Sequence, residues 1–282
     1  MPTSSIPTTR LPSGATVPTF GLGTWRMGES ARRRKDEVAA LRHGLERGVT
    51  LIDTAEMYGD GEAESIVAEA VGNRRKDVFI VSKVLPGNAS RRGTMAACER
   101  SLKRLKTDRI DLYLLHWRGE VPLEETVEVF DALVETGKIC AWGVSNFDIS
   151  DMGELWKMPN GNGVATNQVA YNLTRRGIEF DLMPWCRKRG VPIMAYSPIE
   201  QGRLLGHAAL REVAARHKAT PAQIALAWLM RHDDVIVIPK AGTIEHVDED
   251  LGALDVLLTH DDFATLDHAF PPPKKPMPLD ML

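Results

Sequence analysis

An acid and a phenol stand close together in the stretch LIDTAEMYGD, which covers residues 51–60. Asp53 ends an apolar run that predicts a buried strand, and Tyr58 follows it by five residues. A buried carboxylate is costly unless it is paired, so the sequence predicts either a partner or a chemical task for Asp53.

Two further ionisable groups end other apolar runs: Lys83 closes VFIVSK and His116 closes IDLYLLH. Taken singly, such residues are often helix caps, solvated charges or hydrogen-bonded core histidines. Together with Asp53 and Tyr58 they supply an acid, a base and a phenol that could meet in one cavity. This combination favours an active site.

Eight short apolar runs carry these groups: PTFGLGT, TLIDT, VFIVSK, IDLYLLH, CAWGVSN, VATNQVA, VPIMAYS and DVIVIPK. Most are apolar at consecutive positions, as expected for parallel strands covered on both faces. Segments with helical spacing lie between them, such as TPAQIALAWLMRH, in which Thr220 and Gln223 form a predicted capping box. The series predicts an α/β fold, a (β/α)8 TIM barrel, rather than an open doubly wound sheet.

Two segments lie outside this repeat. RLPSGATVPTF predicts an N-terminal β-hairpin that closes the floor of the barrel. LLTHDDFATLDHAF predicts an extra C-terminal helix capped by Thr259, and the tail PPPKKPMPLDML is expected across the outside or over a rim. No linker rich in Pro, Gly or Ser interrupts the series, so we expect residues 1–282 to form one domain.

Every predicted strand carries a polar side chain at or near its carboxyl end, which a barrel built only for stability would not need. In this fold the carboxyl ends of the strands face the active site. The residues are Thr24, Asp53, Lys83, His116, Ser145, Asn146, Gln168, Tyr196 and Lys240.

Composition argues against several other classes of protein. The 282 residues carry a net charge of −3 and are 43% hydrophobic, and their Lys and Arg residues are dispersed, so no nucleic acid or membrane surface is expected as a partner. Cys98, Cys140 and Cys186 lack metal-site or C-x-x-C spacing and are expected to be reduced. No signal peptide or apolar run of roughly 18 residues is present, which favours a cytoplasmic protein.

The motifs GLGTW, LIDTAEMYG, VSKV, DLYLLHW, GVSNF, TNQVAYN, AYSPI and VIVIPKA, in this order, resemble the aldo-keto reductase superfamily. The resemblance covers about residues 20–270 and is strongest to bacterial single-domain members of the methylglyoxal-reductase type. It implies a (β/α)8 fold, NADP(H) bound without a Rossmann motif, and reversible reduction of aldehydes and ketones. The stretch GLGTWRMG agrees with the absence of a Rossmann motif, because Arg26 replaces the third glycine of G-x-G-x-x-G.

The resemblance gives the four chemical residues their roles. Tyr58 is expected to act as general acid toward the substrate oxygen, with its pKa lowered by the ammonium of Lys83. Asp53 would hold Lys83 in place, and a neutral His116 would orient the substrate carbonyl.

The expected substrate is a small aldehyde or an α-ketoaldehyde such as methylglyoxal. We expect it to bind between Trp25, Tyr58, His116 and Trp117, in a monomer that uses NADPH and, more weakly, NADH.

The resemblance also implies a cofactor site. Ser145, Asn146 and Gln168 would hydrogen-bond the carboxamide, Tyr196 would stack on the nicotinamide, and residues 197–204 would cover the pyrophosphate. The predicted set is Gly23, Thr24, Trp25, Asp53, Ser145, Asn146, Gln168, Tyr196, Ser197, Pro198, Ile199, Gln201, Gly202, Leu204, Ile238, Pro239, Lys240, Ala241, Gly242, Thr243, His246, Glu249 and Asp250.

Two positions depart from the family pattern. Glu200 stands where relatives usually have glycine, so we expect its carboxylate to turn to solvent or to Arg203. His246 stands where many relatives have arginine, which removes a permanent charge near the 2′-phosphate. The predicted preference for NADPH is therefore weaker than in such relatives, and it becomes stronger below about pH 6.5.

Three other classes remain as alternatives. A non-catalytic subunit of the same fold that binds or senses nicotinamide is disfavoured because all four catalytic residue types are present. A Schiff-base aldolase would use Lys83 as an uncharged nucleophile. A metal-dependent barrel is disfavoured because the strand ends offer one His and one Asp, too few for a metal site.

Overall fold

The computed structural model describes residues 5–282, and a short hairpin precedes the main sheet. Its two antiparallel strands are β1, Thr8–Arg10, and β2, Thr16–Pro18. Leu11 and Val17 are buried in the same apolar cluster as side chains of the main sheet. The predicted N-terminal hairpin is confirmed.

Eight parallel strands form the main sheet in chain order. They are β3 (Gly21–Gly23), β4 (Leu51–Asp53), β5 (Phe79–Val84), β6 (Ile110–Leu115), β7 (Ile139–Ser145), β8 (Asn167–Ala170), β9 (Ile193–Tyr196) and β10 (Val235–Val237). Parallel bridges from Phe20 to Val237 and from Gly23 to Lys240 join the first and last strands. The sheet therefore closes into the predicted (β/α)8 barrel.

Ten helices surround the strands in the described part of the chain. They are α1 (Arg34–Glu46), α2 (Glu62–Val71), α3 (Arg91–Leu105), α4 (Leu123–Glu135), α5 (Ile149–Leu155), α6 (Leu182–Arg187), α7 (Ala208–His217), α8 (Pro221–Leu229), α9 (Ile244–Leu251) and α10 (His260–Ala269). Capping boxes begin α8 at Thr220 and α10 at Thr259, which confirms both predicted helix starts. Between residues 5 and 282, no helix combines the length and apolar character needed to cross a bilayer.

Side chains of the strands alternate between the two faces of the barrel wall. On β5, Ile80 packs with the outer apolar cluster and Val81 with the inner one. Lys83, two residues after Val81, shares its face and continues the inner column of side chains. The apolar interior of the barrel therefore ends at a charged group.

Candidate active site

Lys83 and Asp53 form a buried ion pair at the ends of the neighbouring strands β5 and β4. Lys83 Nζ donates to both carboxylate oxygens of Asp53 at 2.8 Å and to the carbonyl oxygen of Thr54 at 2.9 Å. The Lys83 side chain is 0% exposed and that of Asp53 is 3% exposed. Asp53 is thus paired with Lys83, as the sequence predicts.

Tyr58 reaches this pair because the chain turns sharply after β4. Tyr58 begins a 3-10 turn, Tyr58–Gly61, in which Gly59 has a φ of 56°. A Cβ at Gly59 would lie 2.9 Å from the carbonyl oxygen of Met27, so the turn requires glycine there. The turn places Tyr58 Oη 3.3 Å from Lys83 Nζ.

The pKa of Tyr58 differs from the expected one. Burial, and then the charge of Asp53, raise the pKa of the phenol well above its usual value. The predicted lowering by Lys83 is wrong for the protein alone, because Asp53 offsets the ammonium charge and burial disfavours tyrosinate. Tyr58 therefore holds its proton at neutral pH.

His116 follows the last residue of β6 and is 7% exposed. Burial, and then the charge of Lys83, lower the pKa of His116 to about 3, so the imidazole is neutral as expected. Its ring centroid lies 5.8 Å from that of Tyr58 and 4.9 Å from that of Trp117. No described residue hydrogen-bonds its Nδ1.

One cavity of about 820 Å³ opens above these groups. It is lined by Gly23, Trp25, Arg26, Arg33, Asp53, Met57, Tyr58, His116, Trp117, Ser145, Asn146, Gln168, Tyr196, Ser197, Pro198, Ile199, Gln201, Gly202, Leu205, Ala222, Ile238, Lys240, His246, Glu249, Asp250, Met281 and Leu282. All four predicted substrate-binding residues are in this lining. Lys83 lies beneath it and is reached through Tyr58.

Six predicted cofactor residues do not line the cavity: Thr24, Leu204, Pro239, Ala241, Gly242 and Thr243. Leu204 is buried in the outer core, and its neighbour Leu205 faces the cavity instead. Arg26, Arg33, Met57, Ala222, Met281 and Leu282 were not among the predicted site residues. Of these, Arg26 and Arg33 carried a signal, since they are cations in the loop that follows a polar strand end.

Two amide side chains come from neighbouring strands: Asn146 follows β7, and Gln168 is the second residue of β8. Gln168 Nε2 donates to Asp53 Oδ1 at 2.8 Å. Asn146 Oδ1 accepts from Tyr196 Oη at 2.9 Å, and Asn146 Nδ2 donates to the carbonyl oxygen of His116 at 3.1 Å. The predicted carboxamide ligands and the predicted stacking ring are therefore neighbours.

Glu200 is buried within the predicted pyrophosphate loop, and of the two expected directions, to solvent or to Arg203, its carboxylate takes the second. Its carboxylate accepts from Arg175, Arg203 and Asn172, each at 2.8 Å. Although burial raises it, these hydrogen bonds lower the pKa of Glu200 to about 2. Arg203 is a partner as expected, and Arg175 is an additional one that the sequence did not indicate.

The C-terminal tail crosses the rim of the barrel and reaches the cavity. Arg175 Nη1 forms an ion pair with Asp280 Oδ1 at 2.8 Å. The backbone nitrogen of Leu282 donates to Tyr196 Oη at 3.3 Å. Arg175 thus joins the tail to the loop that contains Glu200.

Three further polar residues line the cavity: Lys240, His246 and Asp250. Lys240 is half-buried, and no described residue hydrogen-bonds or ion-pairs with its ammonium. His246 is exposed in the first turn of α9. Asp250 is 5% exposed without a polar partner among the described residues, and burial, followed by the charge of Glu249, raises its pKa to about 8.

Comparison with known proteins agrees with this geometry. The model of the aldo/keto reductase family matches residues 19–270. Methylglyoxal reductase YeaE of Escherichia coli K12 is 53% identical over 271 residues, covering 94% of this chain and 95% of the relative. Glyoxal reductase of Bacillus subtilis 168 is 34% identical over 269 residues, covering 95% and 94%.

A solved structure shows the same fold. The crystal structure of an aldo-keto reductase from Klebsiella pneumoniae in complex with NADPH has a TM-score of 0.96 and 50% identity, covering 99% of this chain and 100% of that chain. The resemblance deduced from the motifs is confirmed. The chain belongs to the aldo/keto reductase family.

Proposed function

We propose that this aldo-keto reductase takes NADPH as its hydride donor and reduces small aldehydes and α-ketoaldehydes, such as methylglyoxal, to alcohols. The observation that carries the proposal is the buried Asp53–Lys83 pair with Tyr58 Oη 3.3 Å from the ammonium. The names of the relatives from Escherichia coli and Bacillus subtilis and the NADPH complex from Klebsiella pneumoniae support it.

The residues of the cavity fit a phosphorylated dinucleotide. Asn146 and Gln168 present amides to the cavity, and Asn146 hydrogen-bonds the hydroxyl of Tyr196. Lys240 also lines the cavity, and its ammonium forms no hydrogen bond or ion pair with a described residue. An unpaired, half-buried cation favours binding of an anionic ligand. NADPH, when bound, supplies the hydride to the carbonyl carbon.

Tyr58 supplies the proton in this proposal. Because its pKa is raised, the phenol is protonated at neutral pH and can donate from Oη to the substrate oxygen as negative charge develops there. Lys83 stabilises the resulting tyrosinate, and Asp53 keeps the ammonium directed at Oη. The protonated phenol thus suits reduction of the carbonyl, because that direction of the reaction consumes a proton.

Neutral His116 positions the substrate. An uncharged imidazole donates a hydrogen bond to a carbonyl oxygen without competing with Tyr58 as an acid. Trp25, Met57 and Trp117 surround this part of the cavity. Their uncharged side chains fit a small, uncharged carbonyl compound.

The test is the oxidation of NADPH with methylglyoxal by the wild type and by Tyr58→Phe. Loss of a general acid typically costs about a hundredfold to ten-thousandfold in rate, so kcat should fall within that range while NADPH binding persists. Tyr113→Phe is the control, because Tyr113 is also buried but lies outside the cavity. Near-normal turnover by Tyr58→Phe would contradict the proposed role, and binding without turnover by the wild type would favour the non-catalytic alternative.

A further inference from the structure

A cation from a different part of the chain faces the same end of the cavity as Lys240. Arg33 occupies the position just before α1, and both residues are in the cavity lining. Helix α1 packs against α9, the helix that follows Lys240 in the chain. Closure of the barrel between β3 and β10 therefore brings the loops after these strands together.

Most N–H donors of the Arg33 guanidinium form no hydrogen bond within the part of the protein that the structure describes. Its side chain is 50% exposed, and its Nε lies 3.7 Å from Glu37 Oε1, longer than a hydrogen bond. Its Nη2 donates to the carbonyl oxygen of Arg26 at 3.3 Å. Since a guanidinium carries five N–H donors in a planar fork, most of them are available to a ligand.

Arg33 and Lys240 also repel each other. Burial, then the charge of Arg33 and, less strongly, that of Arg26 lower the pKa of Lys240, while Glu37 and Glu29 raise it. Two cations on one cavity wall raise the free energy of the protein until an anion binds between them. A phosphate monoester, which carries nearly two negative charges at neutral pH, meets this requirement.

We propose that Arg33 and Lys240 together bind the 2′-phosphate of NADPH, with Arg33 supplying the permanent positive charge that His246 does not. The assignment rests on the proposed use of NADPH. It makes Arg33 a determinant of the choice between NADPH and NADH, since only the former carries this phosphate. The fork of Arg33 can bind two phosphate oxygens, whereas Lys240 acts as a point charge.

The test measures ligand binding by calorimetry, independently of turnover. NADPH, NADH, 2′,5′-ADP and 5′-ADP are titrated into the wild type, Arg33→Ala and Arg33→Lys. Loss of a charge-assisted hydrogen bond predicts that Arg33→Ala binds NADPH and 2′,5′-ADP roughly tenfold or more weakly. NADH and 5′-ADP should bind within about twofold of wild type, and Arg33→Lys should lie between the two proteins.

Arg32→Ala is the matched control, because Arg32 is an exposed neighbour outside the cavity lining, and it should bind all four ligands as the wild type does. Equal weakening of NADPH and NADH would overturn the proposal and place Arg33 at the pyrophosphate. Unchanged binding of 2′,5′-ADP by Arg33→Ala would overturn it as well. Failure of the wild type to bind either dinucleotide would overturn the proposed function too, whereas the first two results would leave that function standing.

Discussion

The ammonium nitrogen of Lys83 lies 3.3 Å from the phenolic oxygen of Tyr58 while it holds both oxygens of Asp53. Replacing Lys83 by Met would leave the Asp53 carboxylate buried without its cation. Such a loss typically costs about 3–5 kcal/mol in the free energy of unfolding, so we expect Lys83→Met to be markedly destabilised in urea titrations and inactive.

The double variant Lys83→Met with Asp53→Asn separates stability from chemistry. It removes both charges, and we expect it to recover much of the lost free energy of unfolding, because a neutral pair carries no unpaired buried charge. Turnover should stay absent, since no ammonium remains to stabilise tyrosinate. Recovery of turnover would show that Lys83 serves the fold alone.

His116 should not ionise in the working pH range. With its pKa lowered to about 3, it stays neutral from about pH 5 to about pH 8. At saturating NADPH, the kcat for methylglyoxal should therefore show no inflection near about pH 6.5, the ordinary histidine value. An inflection there that vanishes in His116→Gln would contradict this prediction.

Asp250 should make the protein less stable as pH rises. Its pKa is raised to about 8 in the folded state, against about 3.9 in an unfolded chain, so the folded state binds the extra proton between these values. The free energy of unfolding contributed by this group then falls from about pH 4 to about pH 8. Asp250→Asn cannot titrate, and its stability relative to wild type should increase between pH 5 and pH 8 in urea titrations.

Asp36→Asn is the control for this comparison, since Asp36 is an exposed acid in the first turn of α1. Its stability relative to wild type should not change between the two pH values. If the stability of Asp250→Asn relative to wild type is also the same at both pH values, Asp250 does not carry the extra proton in the folded state.

The ratio of NADPH to NADH affinity should depend on pH through His246. An exposed histidine binds a phosphate most strongly when its ring is protonated, so the ratio should be higher at pH 6 than at pH 8. His246→Gln should reduce this dependence, while Arg33→Ala should lower the ratio at both pH values because a guanidinium stays charged. A wild-type ratio that is the same at both pH values would count against His246 as a phosphate ligand.

Much of the fold and of the candidate catalytic group could be predicted from local patterns in the sequence. Consecutive apolar residues identified the parallel strands, and the polar residue that ends each run pointed to one face of the barrel. Asp53, Lys83 and His116 lie at or just after the ends of β4, β5 and β6, and the barrel geometry alone brings them together. The capping boxes at Thr220 and Thr259 were local signals of the same kind.

The contacts that the sequence did not indicate join residues far apart in the chain. Arg175 binds Glu200 and Asp280, and no short-range pattern links these three positions. Arg33 lies on the same cavity wall as Lys240 because β3 and β10 close the sheet. The pKa of Tyr58 is raised because burial and the charge of Asp53 have a larger effect than the charge of Lys83. The residue types alone do not show which of these effects is larger.

Arg175 forms ion pairs with both Glu200 and Asp280, and this has a consequence for engineering. One guanidinium holds both the loop proposed to cover the dinucleotide and the C-terminal segment whose Met281 and Leu282 line the cavity. We therefore expect that libraries that vary the tail to accept bulkier aldehydes also change the affinity for the nucleotide. Selection for a new aldehyde is then also selection for a change in nucleotide binding.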